Sequence, residues 1–216
     1  MTRREARARM VRNVDIADAS RHRALPGADS KQRLFVALDL PDAVRDRLAT
    51  WGEGELTDPA LRPVRAESLH MTVCFLGWTP PDRVAEAAEI VNATAPRLVP
   101  MRLRLQPVAK PPRRPALYAI EAESAAATEL SREVSSTFAE AGLAQPEKRP
   151  FWPHITVARV RSERSKRRRP RPVERVPEPL PENLGGEFGA VRLSLYRSMM
   201  RSEGSLYVPL CNLNLR

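Results

Sequence analysis

Two of the chain's three histidines stand in near-identical settings, Leu69-His70-Met71-Thr72-Val73 and Pro153-His154-Ile155-Thr156-Val157. In an extended strand successive side chains alternate faces, so His70 shares a face with Thr72, and His154 with Thr156. Brought together about a pseudo-twofold axis, the two repeats supply a base, an acid and two neutral hydrogen-bond donors. With an ordinary imidazole pKa of about 6.5, one ring takes a proton from water while the other, protonated, gives one to a departing oxygen. Two hydroxyls fixed on strands then donate to the non-bridging oxygens where charge gathers, each supplying up to a few kcal/mol. This set suits opening a strained cyclic phosphodiester, such as a 2′,3′-cyclic phosphate, with no metal and no cofactor.

Other readings of the reactive residues are weaker. A lone histidine in a strand is ordinarily structural, and threonine favours strands anyway; it is the repetition of the pair that argues for chemistry. His22 lies in a polar stretch and reads as inert. Cys74 would need a base and an orienting group to act as a nucleophile, and its apolar setting reads as a small buried residue. Zinc on His70 and His154 would need a third ligand, and no neighbouring Cys, His or acid is spaced for one. The run Gly185-Gly186-Glu187-Phe188-Gly189 lacks the helix and Lys-Ser/Thr of a phosphate loop and reads as a turn.

The elements that must position the motifs follow from apolar periodicity. Leu34 to Leu38 is a short apolar run and reads as a buried strand. Pro41 and Asp42 then open a helix on which Val44, Leu48 and Trp51 recur before Gly52. The first motif lies in a strand from Ser68 to Leu76 that ends at Gly77. Pro80, Pro81 and Asp82 start a helix bearing Val84, Ala88 and Val91 on one face. Met101, Leu103 and Leu105 alternate with polar residues, and Leu117 to Ile120 is the expected partner strand. Thr128 to Ala141 reads as a helix capped by Gly142, and His154 to Val160 as the second motif strand. Val191, Leu193 and Leu195 form one arm of a hairpin that turns at Gly204 and returns through Leu206 and Val208, with Asn212 to Leu215 as a last strand. The predicted fold is α+β: two pseudo-symmetric lobes of antiparallel sheet backed by helices, with a central cleft carrying both HxTx motifs.

Residues around the second motif have several readings. Arg159 stands five positions beyond His154, hence on the opposite face of an ideal strand, so contact with a phosphate needs a bulge or a strand end. Lys148 and Arg149 are placed either to bind an RNA backbone or to form a solvated turn. Phe151 and Trp152 either stack a base or pack the core.

The 216 residues suffice for one large domain or two small lobes. Two cysteines are too few for a disulfide framework, and no apolar stretch is long enough to span a membrane, so a soluble, cytoplasmic protein is expected. The net charge of +10 is concentrated in two segments: residues 1–33 carry +5 and residues 161–175 carry +6, leaving −1 for the rest. Such segments attract polyanions without reading sequence, or are simply solvated charge. Residues 1–32 are taken as a basic extension, with a short helix around Glu5 to Val14, and 33–216 as the bilobal domain. The Arg/Pro-rich stretch 161–181 is expected to bury almost nothing and to form a flexible loop.

At these residues the chain resembles the 2H phosphoesterase superfamily, and within it the LigT-type RNA 2′,3′-cyclic phosphodiesterases, also called 2′-5′ RNA ligases. The likeness covers about residues 33–160 and 186–215. It runs through Arg33-Leu34-Phe35-Val36-Ala37-Leu38, Leu69-His70-Met71-Thr72 with Phe75-Leu76-Gly77, Pro153-His154-Ile155-Thr156 with Ala158-Arg159, and Leu195-Tyr196-Arg197-Ser198 leading to Tyr207. The resemblance implies hydrolysis of RNA 2′,3′-cyclic ends to a 2′-phosphate, with ligation as the reverse reaction. His70 is then the proton donor and His154 the acceptor. It implies a monomer acting on RNA ends, tRNA fragments among them, with no membrane and no obligate protein partner. The rival readings are a relative acting on a small nucleotide or nucleotide-sugar cyclic phosphate, and an RNA-binding module in which the histidines only contact phosphate.

Overall fold

A computed structural model describes residues 30–95, 98–111, 116–146, 149–162, 169–201 and 204–215. The elements in chain order are β1 (Gln32–Asp39), α1 (Asp42–Glu55), β2 (Leu61–Pro63), β3 (His70–Thr79), α2 (Val84–Ala93), β4 (Arg102–Leu105), β5 (Leu117–Glu123), α3 (Ala125–Glu140), β6 (His154–Val160), β7 (Glu187–Gly189), β8 (Arg192–Arg201) and β9 (Gly204–Asn214). The strands run in the order β7-β4-β5-β6-β3-β1-β8-β9, with β2 paired to β6. Every pairing is antiparallel. The fold is α+β as expected, and the two motif strands are adjacent at the middle of this order.

The internal repeat is written in the register. β1 pairs with β3 so that Asp39 faces His70, Ala37 faces Thr72, Val36 faces Cys74 and Phe35 faces Phe75. β5 pairs with β6 so that Glu121 faces His154, Ala119 faces Thr156, Tyr118 faces Ala158 and Leu117 faces Arg159. Both ladders skip one residue after the threonine, Val73 in β3 and Val157 in β6. A bulge of this kind leaves the extra residue without its ladder partner and shifts the face of everything beyond it. Over their first seven residues the two strands have the same alternation of half-buried, buried and exposed positions.

The carbonyl freed at each bulge is satisfied from outside the ladder. Ser131 on α3 donates to the Val73 carbonyl at 2.7 Å, and the Val64 amide donates to the Val157 carbonyl at 2.8 Å. Ser131 is buried among Ala127, Leu130, Val134 and Phe138 on the apolar face of α3, a position that only its bond to the bulge explains. Replacing Ser131 with Ala leaves the Val73 carbonyl buried and unpaired, so unfolding should become easier by about 1–3 kcal/mol, read as a lower urea midpoint at unchanged slope.

The helices cover the core face of the sheet and are exchanged between halves: α3 packs on β3, and α1 reaches β6. Val44, Leu48 and Trp51 of α1 are buried, and the helix passes through Gly52, where the sequence reading ended it. A Cβ at Gly52 would stand 3.1 Å from Leu56 Cδ1, so that glycine serves packing rather than termination. The core unites both halves through Leu34, Val36, Leu38, Met71, Ile120, Phe138, Ile155, Leu193 and Leu195. No described helix is long and apolar enough to cross a membrane.

Several boundaries differ from expectation. β3 runs through Gly77, whose φ of 79° supports an irregular step, to Thr79, and residues 66–68 form a single 3-10 turn before it. The short strand β2 was not foreseen. Asn212 to Asn214 is the end of β9 rather than a separate strand. Glu187–Gly189, read as a turn, pairs with β4 as an edge strand. The expectation that 161–181 buries almost nothing also fails over its second half: Leu180 and Pro177 are buried and Val173 packs on the core. The buried Asp58 carboxylate fixes this stretch by accepting from the amides of Glu174 at 2.7 Å and Arg175 at 2.9 Å. Residues 163–168, with Arg164 and the run Lys166-Arg167-Arg168, the residues before 30 and the helix expected at 5–14 lie outside the described residues.

Candidate active site

The two motif strands meet at Met71 opposite Ile155. Both of these side chains are fully buried, so the residues on either side of each point away from the core. With that register, His70 lies across from Thr156 and Thr72 across from His154, and all four share one half-buried face.

Each imidazole is oriented in the same way. His70 Nδ1–H donates to the Ser68 carbonyl at 2.8 Å, and His154 Nδ1–H donates to the Trp152 carbonyl at 2.7 Å. A carbonyl only accepts, so Nδ1 holds the proton and Nε2 is left as the working nitrogen of both neutral rings. Thr72 Oγ1 donates to His70 Nε2 at 3.2 Å.

The rings are then fixed from the sides. Phe35 stacks on His70 with centroids 5.0 Å apart, and Tyr207 meets it edge-on at 5.1 Å. Trp152 stacks on His154 at 4.0 Å and 19°. A carboxylate stands on the neighbouring strand beside each histidine. Asp39, almost fully buried, accepts from Arg192 Nε at 2.9 Å, Ser194 Oγ at 2.9 Å and Tyr196 Oη at 2.8 Å. Glu121 accepts from Trp152 Nε1 at 2.8 Å and pairs with Lys110 Nζ at 2.9 Å.

Loss of hydration pushes His70 down to about 4, against smaller upward pulls from the Ser68 carbonyl and Asp39; the charges of Arg159 and His154 add to the fall. His154 is also lowered, again mainly by burial, with the Trp152 carbonyl and Glu121 opposing it. Tyr196 is pushed the other way, upward, by burial and by Asp39, so it stays a hydrogen-bond donor.

Arg159 needed a bulge to reach this face, and the bulge at Val157 supplies it: Arg159 is exposed between buried Ala158 and Val160, on the side of His154 and Thr156. Its charge is felt at His70, across the strand boundary. Its counterpart in the other repeat is Phe75. Trp152, expected to stack a base or pack the core, stacks on His154 and donates its indole N–H to Glu121. Phe151 is half-buried and Arg149 exposed ahead of β6; Lys148 lies outside the described residues. Asp39, Glu121 and Lys110 were missed. The one signal for Asp39 was an acid closing the otherwise apolar strand Leu34 to Leu38. Among the described residues no group of three or more His, Cys, Asp or Glu gathers as a metal site.

The family model of the 2′-5′ RNA ligase superfamily matches residues 40–196, which include both motifs. The chain belongs to that superfamily. Within it, the chain is 25% identical over 177 residues to the RNA 2′,3′-cyclic phosphodiesterase of Methanocaldococcus jannaschii, covering 81% of this chain and 96% of that one. It is 28% identical over 180 residues to the Escherichia coli enzyme of the same name, covering 83% and 94%. The crystal structure of E. coli LigT complexed with 3′-AMP superposes with a TM-score of 0.66 at 26% identity, over 86% of this chain and 98% of that one. Superfamily membership accounts for the antiparallel α+β architecture found here.

Proposed function

We propose that this chain hydrolyses RNA 2′,3′-cyclic phosphate ends to 2′-phosphates by paired-histidine acid–base catalysis. The observation that carries the reading is the commitment of both Nδ1 atoms to backbone carbonyls, which leaves Nε2 as the working nitrogen of each ring on the one face that both motifs share. The names of the relatives support the substrate class.

His154 Nε2 takes a proton from the attacking water as its oxygen bonds to phosphorus. The bond from phosphorus to the ribose 3′-oxygen breaks, and His70, protonated at Nε2, gives that oxygen its proton. The product keeps the phosphate on the 2′-oxygen. Arg159, Thr72 and Thr156 meet the charge on the non-bridging oxygens. The assignment of donor and acceptor follows the family resemblance, since the two repeats are nearly symmetric. With an RNA 5′-hydroxyl in water's place, the same groups join two ends through a 2′-5′ bond.

Product analysis on a cyclic-ended oligonucleotide tests the reading. Phosphorus NMR should show a 2′-phosphate; a 3′-phosphate, or binding without turnover, would refute it. Chelator should leave the rate unchanged.

The lowered histidines also set a pH dependence. The working form holds its one proton on His70, the more strongly lowered ring, so it is the minor of the two singly protonated forms of the free enzyme. Above the higher of the two values that form is lost, so kcat/KM should already be falling at neutral pH, about tenfold per pH unit. The optimum lies on the acid side, between His70 at about 4 and the lowered His154. An anionic phosphate between the rings raises both, so the kcat profile should sit at higher pH than that of kcat/KM. An optimum above pH 8 for kcat/KM would contradict this.

A further inference from the structure

Beyond Phe75, β3 skips a second residue, Leu76, so that Trp78 falls opposite Arg33 of β1. Arg33 pairs with Ser198 of β8, and Ser198 with Tyr207 of β9. Facing residues of antiparallel strands share a side of the sheet. The Phe35 ring identifies that side: it lies 5.0 Å from His70 and 5.0 Å from Tyr207. The face that carries His70 therefore continues outward through Phe75 and Phe35 to the row Trp78, Arg33, Ser198 and Tyr207.

This outer row is not core. Trp78 is 66% exposed and Phe75 61%, while Leu76 and Thr79, which alternate with them, are buried. Arg33 is exposed. An indole left this open gains nothing for folding, and the polar side chains of its row are a cation and two hydroxyls. Open aromatic faces beside a cation suit unstacked bases joined by phosphates, that is, single-stranded nucleic acid.

We infer that Phe75, Trp78 and Arg33 form a binding track for the nucleotides that precede the cyclic end, the two rings stacking bases and Arg33 neutralising a phosphate. The track rests on the hydrolase reading above and narrows it: the substrate is a single-stranded RNA end of several nucleotides rather than a mononucleotide. Phe75 stands where the other repeat has Arg159, so the two halves divide the labour, one holding bases and the other the reacting phosphate.

The test compares kcat/KM for a mononucleoside 2′,3′-cyclic phosphate and a cyclic-ended tetranucleotide, in the wild type, Trp78→Ala, Trp78→Phe and Arg33→Gln. One stacked base should favour the longer substrate about 5- to 150-fold in the wild type. Trp78→Ala should lower that ratio by about the 5- to 150-fold of one lost stack, leaving what Phe75 and Arg33 contribute, and Trp78→Phe should keep most of it. Arg33→Gln should lower the ratio and flatten the dependence of log KM on log salt by about one phosphate contact. A wild type that turns over both substrates without length preference, or a ratio untouched by Trp78→Ala, overturns the track and leaves the hydrolase reading standing. Failure of the wild type on both substrates removes that reading and the track with it. Binding of a peptide, not RNA, to the Trp78 row would also overturn it.

Discussion

Alanine at His70, or at His154, should each lower kcat on a cyclic-ended oligonucleotide by about 10²- to 10⁴-fold, the range of a positioned proton-transfer group. In the proposed mechanism the two rings act in one step on opposite sides of one phosphorus. The double variant should therefore lose little more than either single one, because groups that act as a unit are grossly non-additive. Both rings lie on the half-buried face and not in the core, so the variants should unfold at nearly the wild-type urea midpoint. Single-turnover kinetics with denaturation curves on the same preparations checks both statements. Rates within tenfold of the wild type would remove the histidines from the chemistry.

Arg159→Gln should have the next largest effect, about 10²- to 10³-fold in kcat/KM, comparable to losing a preorganised donor at developing charge. It also carries a signature that a purely structural residue lacks. The guanidinium depresses His70, so its removal lets the His70 pKa rise, and the acid limb of the pH profile should move to higher pH. Asp39→Asn should move the same limb the opposite way, because the Asp39 charge raises His70. Opposite shifts from two substitutions on different strands are hard to obtain from unfolding alone. Equal profiles for both variants would show that neither charge reaches the working ring.

The sequence made the motif strands, the shared face of histidine and threonine, the helix stripes and the antiparallel α+β plan legible, because each follows from local periodicity. The bulges did not show. They exist only where Val73 or Val157 fails to find a partner on another strand, and nothing in either heptapeptide marks that failure. Arg159 was for that reason placed on the wrong side of an ideal strand, with a bulge named as the condition for contact. Asp39 and Glu121 escaped notice since their importance comes from cross-strand register, not from neighbours in sequence. The burial of Leu180 depends likewise on a loop held by Asp58, more than a hundred residues earlier. Glu187–Gly189 is a strand only because β4 offers an edge.

Leaving-group substitution tests the division of labour most directly. A cyclic substrate whose departing 3′-oxygen is replaced by sulfur leaves as a thiolate and needs little help from an acid. On it, His70→Ala should recover most of the wild-type rate, whereas His154→Ala, which lacks the group that activates water, should stay as slow as on the oxygen substrate. Rescue of both variants, of neither, or of His154→Ala alone would contradict the assignment of the two rings to opposite ends of one displacement.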